Sequence, residues 1–379
     1  MMKSLHLLVK PASSACNLRC GYCFYEDASN NRAVKNSGVM SPALADTLLR
    51  QAYGLCEDGG TVNFTFQGGE PTLAGLDFFR YFAAQARALC PAGVHTEFAI
   101  QTNGVLLNEE WAAFLKRENF LVGLSVDGCK ELHNLYRVNA RKNGSWNAVC
   151  RALRLLQGQG VLVNALCVVT AQAARRPEKI YNELKKLGLG YMQFIPCLDP
   201  IGQTWGKQPF SLAPKAYGDF LCRLFDLWYA DWAGGQYHSI RLFDDYVNLL
   251  LGSGEPACAS CGRCGGYFVV ESDGSLYPCD FYALDEWKMG SLAGQPLADL
   301  IAGERARAFL RWRQTKPAEC AGCRWSPLCG GGCKRDWVDA EDGPHNYFCS
   351  SFDQFFAHAL PRLLRIAGAE ARARQRILN

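Results

Sequence analysis

The chain has 379 residues, 49% hydrophobic and 20% charged, the make-up of a globular protein with room for one large and one smaller domain. Forty Lys and Arg against 36 Asp and Glu leave a formal charge of +4, which excludes a nucleic-acid or membrane partner argued from charge alone. The first ten residues hold an apolar run too short for a signal segment, and nothing later approaches about 18 apolar residues, so a cytoplasmic location is expected.

In chain order, short apolar and β-branched runs recur at residues 5–9, 62–66, 98–100, 121–126, 161–170 and 191–195, each bounded by turn residues. Between them, stretches such as 41–53 and 146–157 carry apolar residues at three and four spacing, the pattern of amphipathic helices. Six such alternations predict an α/β fold with a parallel sheet, best closed as a partial (β/α)6 TIM-like barrel, with its site at the C-terminal ends of the strands.

Just past the first strand come Cys16, Cys20 and Cys23, spaced C-x3-C-x2-C. Three thiolates are one too few for a closed tetrahedral site. They suit a four-iron four-sulfur cluster with one open iron, or a zinc knuckle short of a ligand. Gln67, Gly68, Gly69 and Glu70 follow the second strand, and the paired glycines allow backbone to approach a ligand closely. Thr102 and Asn103 lie at the end of the third strand and Ser125 at the end of the fourth, with Arg137 farther on. A guanidinium there could pair with a carboxylate through two hydrogen bonds. Cys197 ends the sixth strand, placed either to face the site or to pack. His133 has no second ligand at metal spacing and reads as a satisfied polar group. Cys56, Cys90, Cys129, Cys150, Cys167 and Cys222 stand alone and read as small apolar side chains.

After Gly234 and Gly235 the alternation is expected to stop, dividing the chain into residues 1–235 and 236–379. The second part holds nine of the nineteen cysteines: Cys258, Cys261, Cys264, Cys279, Cys320, Cys323, Cys329, Cys333 and Cys349. Without an export signal they are expected as metal ligands in a reducing cell, two sets of four with one to spare. Structural zinc and iron–sulfur clusters both accept such sets. Residues 369–379, rich in Arg and Ala, read as a solvated helix end.

The first motif, with Tyr22 before its third cysteine, resembles the radical S-adenosylmethionine (SAM) superfamily. The later G-x4-C and C-x2-C-x5-C-x3-C spacings resemble the SPASM extension of those enzymes. Through KPASSACNLRCGYCFY, FQGGEPTLAGLDFF, QTNG, FLVGLSVDG, QFIPCLDP and FVVESDGSLYPCDFY the chain is similar, nearly end to end, to the anaerobic sulfatase-maturating enzymes.

The resemblance implies three four-iron four-sulfur clusters and SAM as cofactors. Cys16, Cys20 and Cys23 would hold the cluster that chelates SAM. Cys258, Cys264, Cys279 and Cys333 would hold a nearer auxiliary cluster, and Cys320, Cys323, Cys329 and Cys349 a farther one, with Cys261 spare or exchanged for Cys258. Tyr22, Gln67, Gly68, Gly69, Glu70, Thr102, Asn103, Ser125 and Arg137 would line the SAM site. Tyr25, Gln67 and Cys197 would face the substrate, and Asp280, directly after Cys279, would be the catalytic base.

The implied reaction oxidises a cysteine or serine, in a C/S-x-P/A-x-R stretch of an unfolded sulfatase, to Cα-formylglycine by way of a 5′-deoxyadenosyl radical. A ferredoxin or flavodoxin would supply electrons. Two other readings stay open at this point. One is a maturase that forges thioether or carbon–carbon crosslinks in a ribosomal peptide, although many of these carry a leader-binding domain and only 15 residues precede Cys16 here. The other is a zinc-stabilised or electron-carrying protein without catalysis.

Overall fold

The computed structural model describes residues 1–254, 256–314, 316–339, 341 and 343–378. Strands run over Met2–Lys10 (β1), Cys56–Phe66 (β2), His95–Thr102 (β3), Leu121–Ser125 (β4), Leu162–Val169 (β5), Tyr191–Pro196 (β6), Ser239–Ile240 (β7), Phe268–Glu271 (β8), Ser275–Tyr277 (β9) and Gly290–Ser291 (β10). Each of the six expected runs forms a strand. The alternation continues past residue 235, however, through β7 and the helix Arg241–Leu251. A two-residue strand is too short to register as an apolar run.

The chain packs as two compact units, each assembled from separated segments. The first comprises Met1–Val126, His133–Asn164 and Gly265–Trp312, and the second Asp127–Leu132, Ala165–Cys264 and Arg313–Asn379. In the first unit β1, β2, β3 and β4 pair in parallel, in that order. On its other side β1 pairs in parallel with β8, Leu7 facing Phe268 and Lys10 facing Glu271. A strand of the cysteine-rich part thus becomes the second neighbour of β1, whose last four residues are all buried. Strands paired on both sides and covered on both faces read as continuous apolar runs, as Leu7 to Val9 do.

Side chains along the end of β2 alternate, with Val62, Phe64 and Phe66 turned into the core and Asn63 and Thr65 less buried. Phe66 sits in a cage of rings, 4.9 Å from Phe79, 5.0 Å from Phe82 and 6.0 Å from Phe120 between centroids. The covering helices begin where a side chain can satisfy their first amides. Ser41 Oγ accepts from Leu44 N at 3.2 Å before Pro42–Leu55, and Asn108 Oδ1 from Trp111 N at 3.0 Å before Glu109–Arg117.

In the second unit β5, β6 and β7 pair in parallel. The helix Pro214–Ala233 buries Phe220, Leu221, Leu224, Phe225 and Trp228. Phe225 meets Phe355 of the long helix Cys349–Leu378 at 5.8 Å. The expected solvated end at residues 369–378 is the last part of that helix, and Asn379 lies outside the described residues. Among the described residues no helix is long and apolar enough to cross a membrane.

Because Phe66 is fully buried among rings, Phe66→Ala is expected to cost about 3 to 5 kcal/mol. A shift in the denaturant midpoint measures it, and a loss below about 1 kcal/mol would show that the ring cage is not what holds this sheet.

Candidate active site

Past Lys10 the chain turns through Ser13, whose φ of 49° lies in the left-handed region. The loop after β2 is pressed against this turn. Gly69 N donates to Ser13 O at 2.9 Å and Glu70 N to Ala15 O at 2.7 Å. A Cβ on Gly69 would stand 2.2 Å from Ala15 O, and one on Gly68, where φ is +136°, 2.8 Å from Ser13 O. Only glycine permits that approach.

Glu70 is buried, and its carboxylate takes four donors: Thr72 N at 3.1 Å, Thr72 Oγ1 at 2.6 Å, Thr102 Oγ1 at 2.7 Å and Asn103 N at 2.8 Å. Burial raises its pKa above the usual carboxylate value, and the four donors oppose that rise. The carboxylate therefore splices the ends of β2 and β3. Asn103 in turn donates to Asn17 Oδ1 at 2.7 Å, which carries the tie into the cysteine loop.

Within that loop Cys16 Sγ accepts from Leu18 N at 3.4 Å, and Cys23 Sγ from Glu26 N at 3.4 Å as the cap of the helix Phe24–Asn30. Arg19 N and Gly21 N donate to Val138 O and Tyr136 O at 2.7 and 3.2 Å. The Tyr22 ring stands 5.6 Å from that of Tyr136 and 5.5 Å from the Arg137 guanidinium. Burial pushes the Cys16 thiol up to about 11 and raises Cys23 as well. Amide donors onto sulfur favour the thiolate against this burial, and a bound cation would complete the change. Three thiols in one loop are the donor type that an iron–sulfur cluster takes.

A second group gathers beside the first. Lys10 is wholly buried, with Nζ 2.5 Å from Asp280 Oδ1 and 3.5 Å from the centroid of the Tyr25 ring. The Tyr25 hydroxyl donates to Glu271 Oε1, and Arg32 Nη1 donates to the same oxygen at 2.7 Å. Burial and the Glu271 charge push the Tyr25 hydroxyl well above its ordinary pKa, so it remains a donor. Asp280 opens the short turn Asp280–Tyr282 directly after Cys279. Tyr267 Oη lies 3.6 Å from Cys279 Sγ and accepts from Asp280 N at 3.4 Å. Gln67 is the residue after Phe66, which pairs with Val9, so it lies next to Lys10 across the strands.

Lys10, Arg32 and Glu271 were not among the residues expected from the sequence. A signal was present for two of them, since Lys10 and Glu271 each end an apolar run, LHLLVK and FVVE, and charge at the C-terminal end of a buried strand marks a site.

The first unit therefore holds Cys16, Cys20, Tyr22, Cys23, Tyr25, Gln67, Gly68, Gly69, Glu70, Thr102, Asn103, Ser125, Arg137, Cys279 and Asp280. Cys197 belongs to the second unit, where it is buried and its amide donates to Val169 O at 3.1 Å. Cys258, Cys261, Cys264, Cys320, Cys323, Cys329, Cys333 and Cys349 belong there too. Burial raises the thiols of Cys329 and Cys349, the latter to about 12 with the Glu319 charge next in weight, and Cys320 and Cys323 contribute in both cases. These four sulfurs thus lie within electrostatic reach of one another. Cys261 Sγ lies 3.9 Å from Cys258 O. Among the described residues no three His, Cys, Asp or Glu side chains close on a single metal-ion position. His133 is buried with Nε2 2.9 Å from Ser145 Oγ and its ring 5.5 Å from that of Trp146.

Residues 11–191 match the Radical SAM superfamily, and residues 258–324 match SPASM, an iron–sulfur cluster-binding domain. The chain is 44% identical over 368 residues to a cysteine-type anaerobic sulfatase-maturating enzyme of Clostridium novyi, covering 97% of this chain and 98% of that one. It is 32% identical to a serine-type anaerobic sulfatase-maturating enzyme of Bacteroides thetaiotaomicron, over 95% of this chain and 90% of the relative. The solved structure of native anSMEcpe with bound AdoMet and Kp18Cys peptide matches with a TM-score of 0.91 and 41% identity, over 97% of this chain and 99% of that one. The chain thus belongs to the anaerobic sulfatase-maturating enzymes, radical SAM enzymes in which a partial (β/α)6 barrel is joined to a SPASM domain.

Proposed function

We propose that this chain oxidises a cysteine of an unfolded sulfatase to Cα-formylglycine in the cytoplasm, using SAM and three four-iron four-sulfur clusters. The observation that carries this reading is identity along nearly the whole chain, 44% with the cysteine-type enzyme against 32% with the serine-type one. Cys16, Cys20 and Cys23 hold the cluster at which SAM binds. Cys320, Cys323, Cys329 and Cys349 hold one auxiliary cluster, and Cys258, Cys264 and Cys333 supply ligands to the other. The functional division remains residues 1–235 and 236–379, and an acidic one-electron carrier such as a ferredoxin or flavodoxin is the reductant.

When bound, SAM at its reduced cluster supplies a carbon radical that removes one hydrogen atom from the substrate Cβ. The remaining work falls to the chain. Tyr22, Gly68, Gly69, Thr102 and Asn103 shape the SAM site, with Glu70 bracing it, and Ser125 and Arg137 meet the SAM carboxylate. Gln67, whose Oε1 is buried without a hydrogen bond, orients the substrate together with Tyr25. Asp280, held through Oδ1 by Lys10, offers its second oxygen to the substrate thiol proton.

The reading is tested by anaerobic incubation of the cluster-loaded protein with SAM, reductant and matched peptides carrying Cys or Ser at the target position, followed by mass spectrometry. Formylglycine should form at least about tenfold faster from the Cys peptide, the low end of what a pocket achieves between side chains of nearly the same shape. No product from either peptide would refute the reading, and a preference for Ser would overturn the substrate choice.

Replacing Cys16, Cys20 and Cys23 together by Ala should abolish SAM cleavage while about eight of roughly twelve irons stay bound. Undiminished cleavage would place the SAM cluster elsewhere. Asp280→Asn keeps the size of the side chain but cannot accept a proton, so it should still cleave SAM while formylglycine falls by about a hundredfold or more. Wild-type yields of deoxyadenosine and formylglycine together would remove Asp280 from the role of base.

A further inference from the structure

We infer that Lys10 is a positioning residue of the reaction: its ammonium fixes the Asp280 carboxylate and keeps one cation beside the negative charge as that charge passes from Asp280 to the substrate. This rests on the proposed role of Asp280 as base. Its grounds are geometric. The Lys10 side chain is 0% exposed and that of Asp280 6%, with Nζ and Oδ1 2.5 Å apart. Fully buried lysines are rare, and they persist only when paired.

The pairing here is incomplete. Lys10 Nζ and Asp280 Oδ1 have each other and no further hydrogen-bond partner, and Gln67 Oε1 and Glu271 Oε2 have none, although all four atoms are closed to solvent. Glu271 faces Lys10 across the strands, but its Oε1 is occupied by Tyr25 and Arg32. The ammonium is instead capped by the face of Tyr25 at 3.5 Å. That leaves the ammonium with N–H groups beyond the one turned to Asp280 that no acceptor takes up.

The chemistry gives such a group a task. Once a hydrogen atom has left Cβ, the substrate is a carbon radical that still bears S–H. Transfer of that proton to Asp280 breaks the S–H bond, forms one O–H bond and leaves a radical anion shared by carbon and sulfur. Loss of one electron to an iron–sulfur acceptor then forms the C=S double bond. The carboxylate and ammonium sum to zero charge before the proton moves, and the radical anion and ammonium sum to zero after it. A preorganised cation at the developing anion is the arrangement that lowers such a barrier most in a water-free site.

Wild type, Lys10→Gln, Lys10→Arg and Asp280→Asn, each loaded with clusters anaerobically, provide the test. Binding of a Cys peptide, followed by fluorescence anisotropy without reductant, reports the pocket apart from turnover. Deoxyadenosine and formylglycine from one reaction report coupling, and freeze-quenched electron paramagnetic resonance reports a carbon-centred radical. Lys10→Gln should bind peptide within about threefold of wild type, yet make at least about tenfold less formylglycine per deoxyadenosine and accumulate the radical, while Lys10→Arg recovers most of the yield.

A wild-type ratio in Lys10→Gln overturns the inference. So does loss of peptide binding in both Lys10 variants, which marks a role in folding alone. If Lys10→Gln fails to retain iron, Lys10→Arg decides: a ratio near wild type supports the inference, and one as low as that of Asp280→Asn overturns it. A wild type that binds the peptide and cleaves SAM without making formylglycine would instead refute the proposed function, and this inference with it.

Discussion

At Gly69 two backbone segments pass so closely that no side chain fits between them, and the organisation of the strand ends depends on that passage. The turn that leads from β1 to the cysteines is fixed by amides of the loop after β2. Glu70, immediately beyond, turns its carboxylate inward to collect donors from its own loop and from the end of β3. The result is a rigid base for Cys16 built from backbone contacts and one buried acid. A larger residue at position 69 would have to displace Ala15, and with it the first cysteine.

The buried charges nearby follow a different logic. Lys10, Arg32, Glu271 and Asp280 are all taken out of water in one region of the first unit. Apolar residues of the same size would cost less there, since burying ions exacts a desolvation penalty that pairing repays only in part, whereas removing one partner alone costs about 3 to 5 kcal/mol. Exposed pairs such as Lys215 with Asp219 contribute about 0 to 1 kcal/mol each and carry no comparable penalty. A chain that keeps four charges in its interior is keeping them for what they do to a neighbouring group. The Tyr25 hydroxyl is committed to Glu271, and its ring face meets the Lys10 ammonium.

Much of the fold could be read from the sequence because its signals are local. Apolar runs between turn residues mark β1 to β6, and cysteine spacing marks the loop of residues 16–23. What could not be read depends on partners far apart in the chain. Nothing in the four residues Phe268–Glu271 says that they pair with β1 rather than with another strand of their own region. Lys10 and Asp280 meet only because that pairing exists. Glu70 was legible as part of a motif, but its role was not, because two of its four donors, Thr102 Oγ1 and Asn103 N, reach it only once the sheet has closed. The compact units, each stitched from separated segments, escape a reading that moves along the chain in one direction.

The clasp around Gly69 also sets an order of assembly during synthesis. Cys16, Cys20 and Cys23 leave the ribosome before Gly69 and Asn103, so their loop lacks those partners at that moment. The carbonyls of Ser13 and Ala15 acquire their partners only when β2, Gly69 and Glu70 have emerged, and Asn17 Oδ1 meets Asn103 only when that residue has followed. Until then the three thiols are exposed on a flexible segment, open to oxidation or to stray metal. The span between the first cysteine and the residue that steadies it is a window of vulnerability, one that a reducing environment or an escorting protein must cover before the site can be loaded.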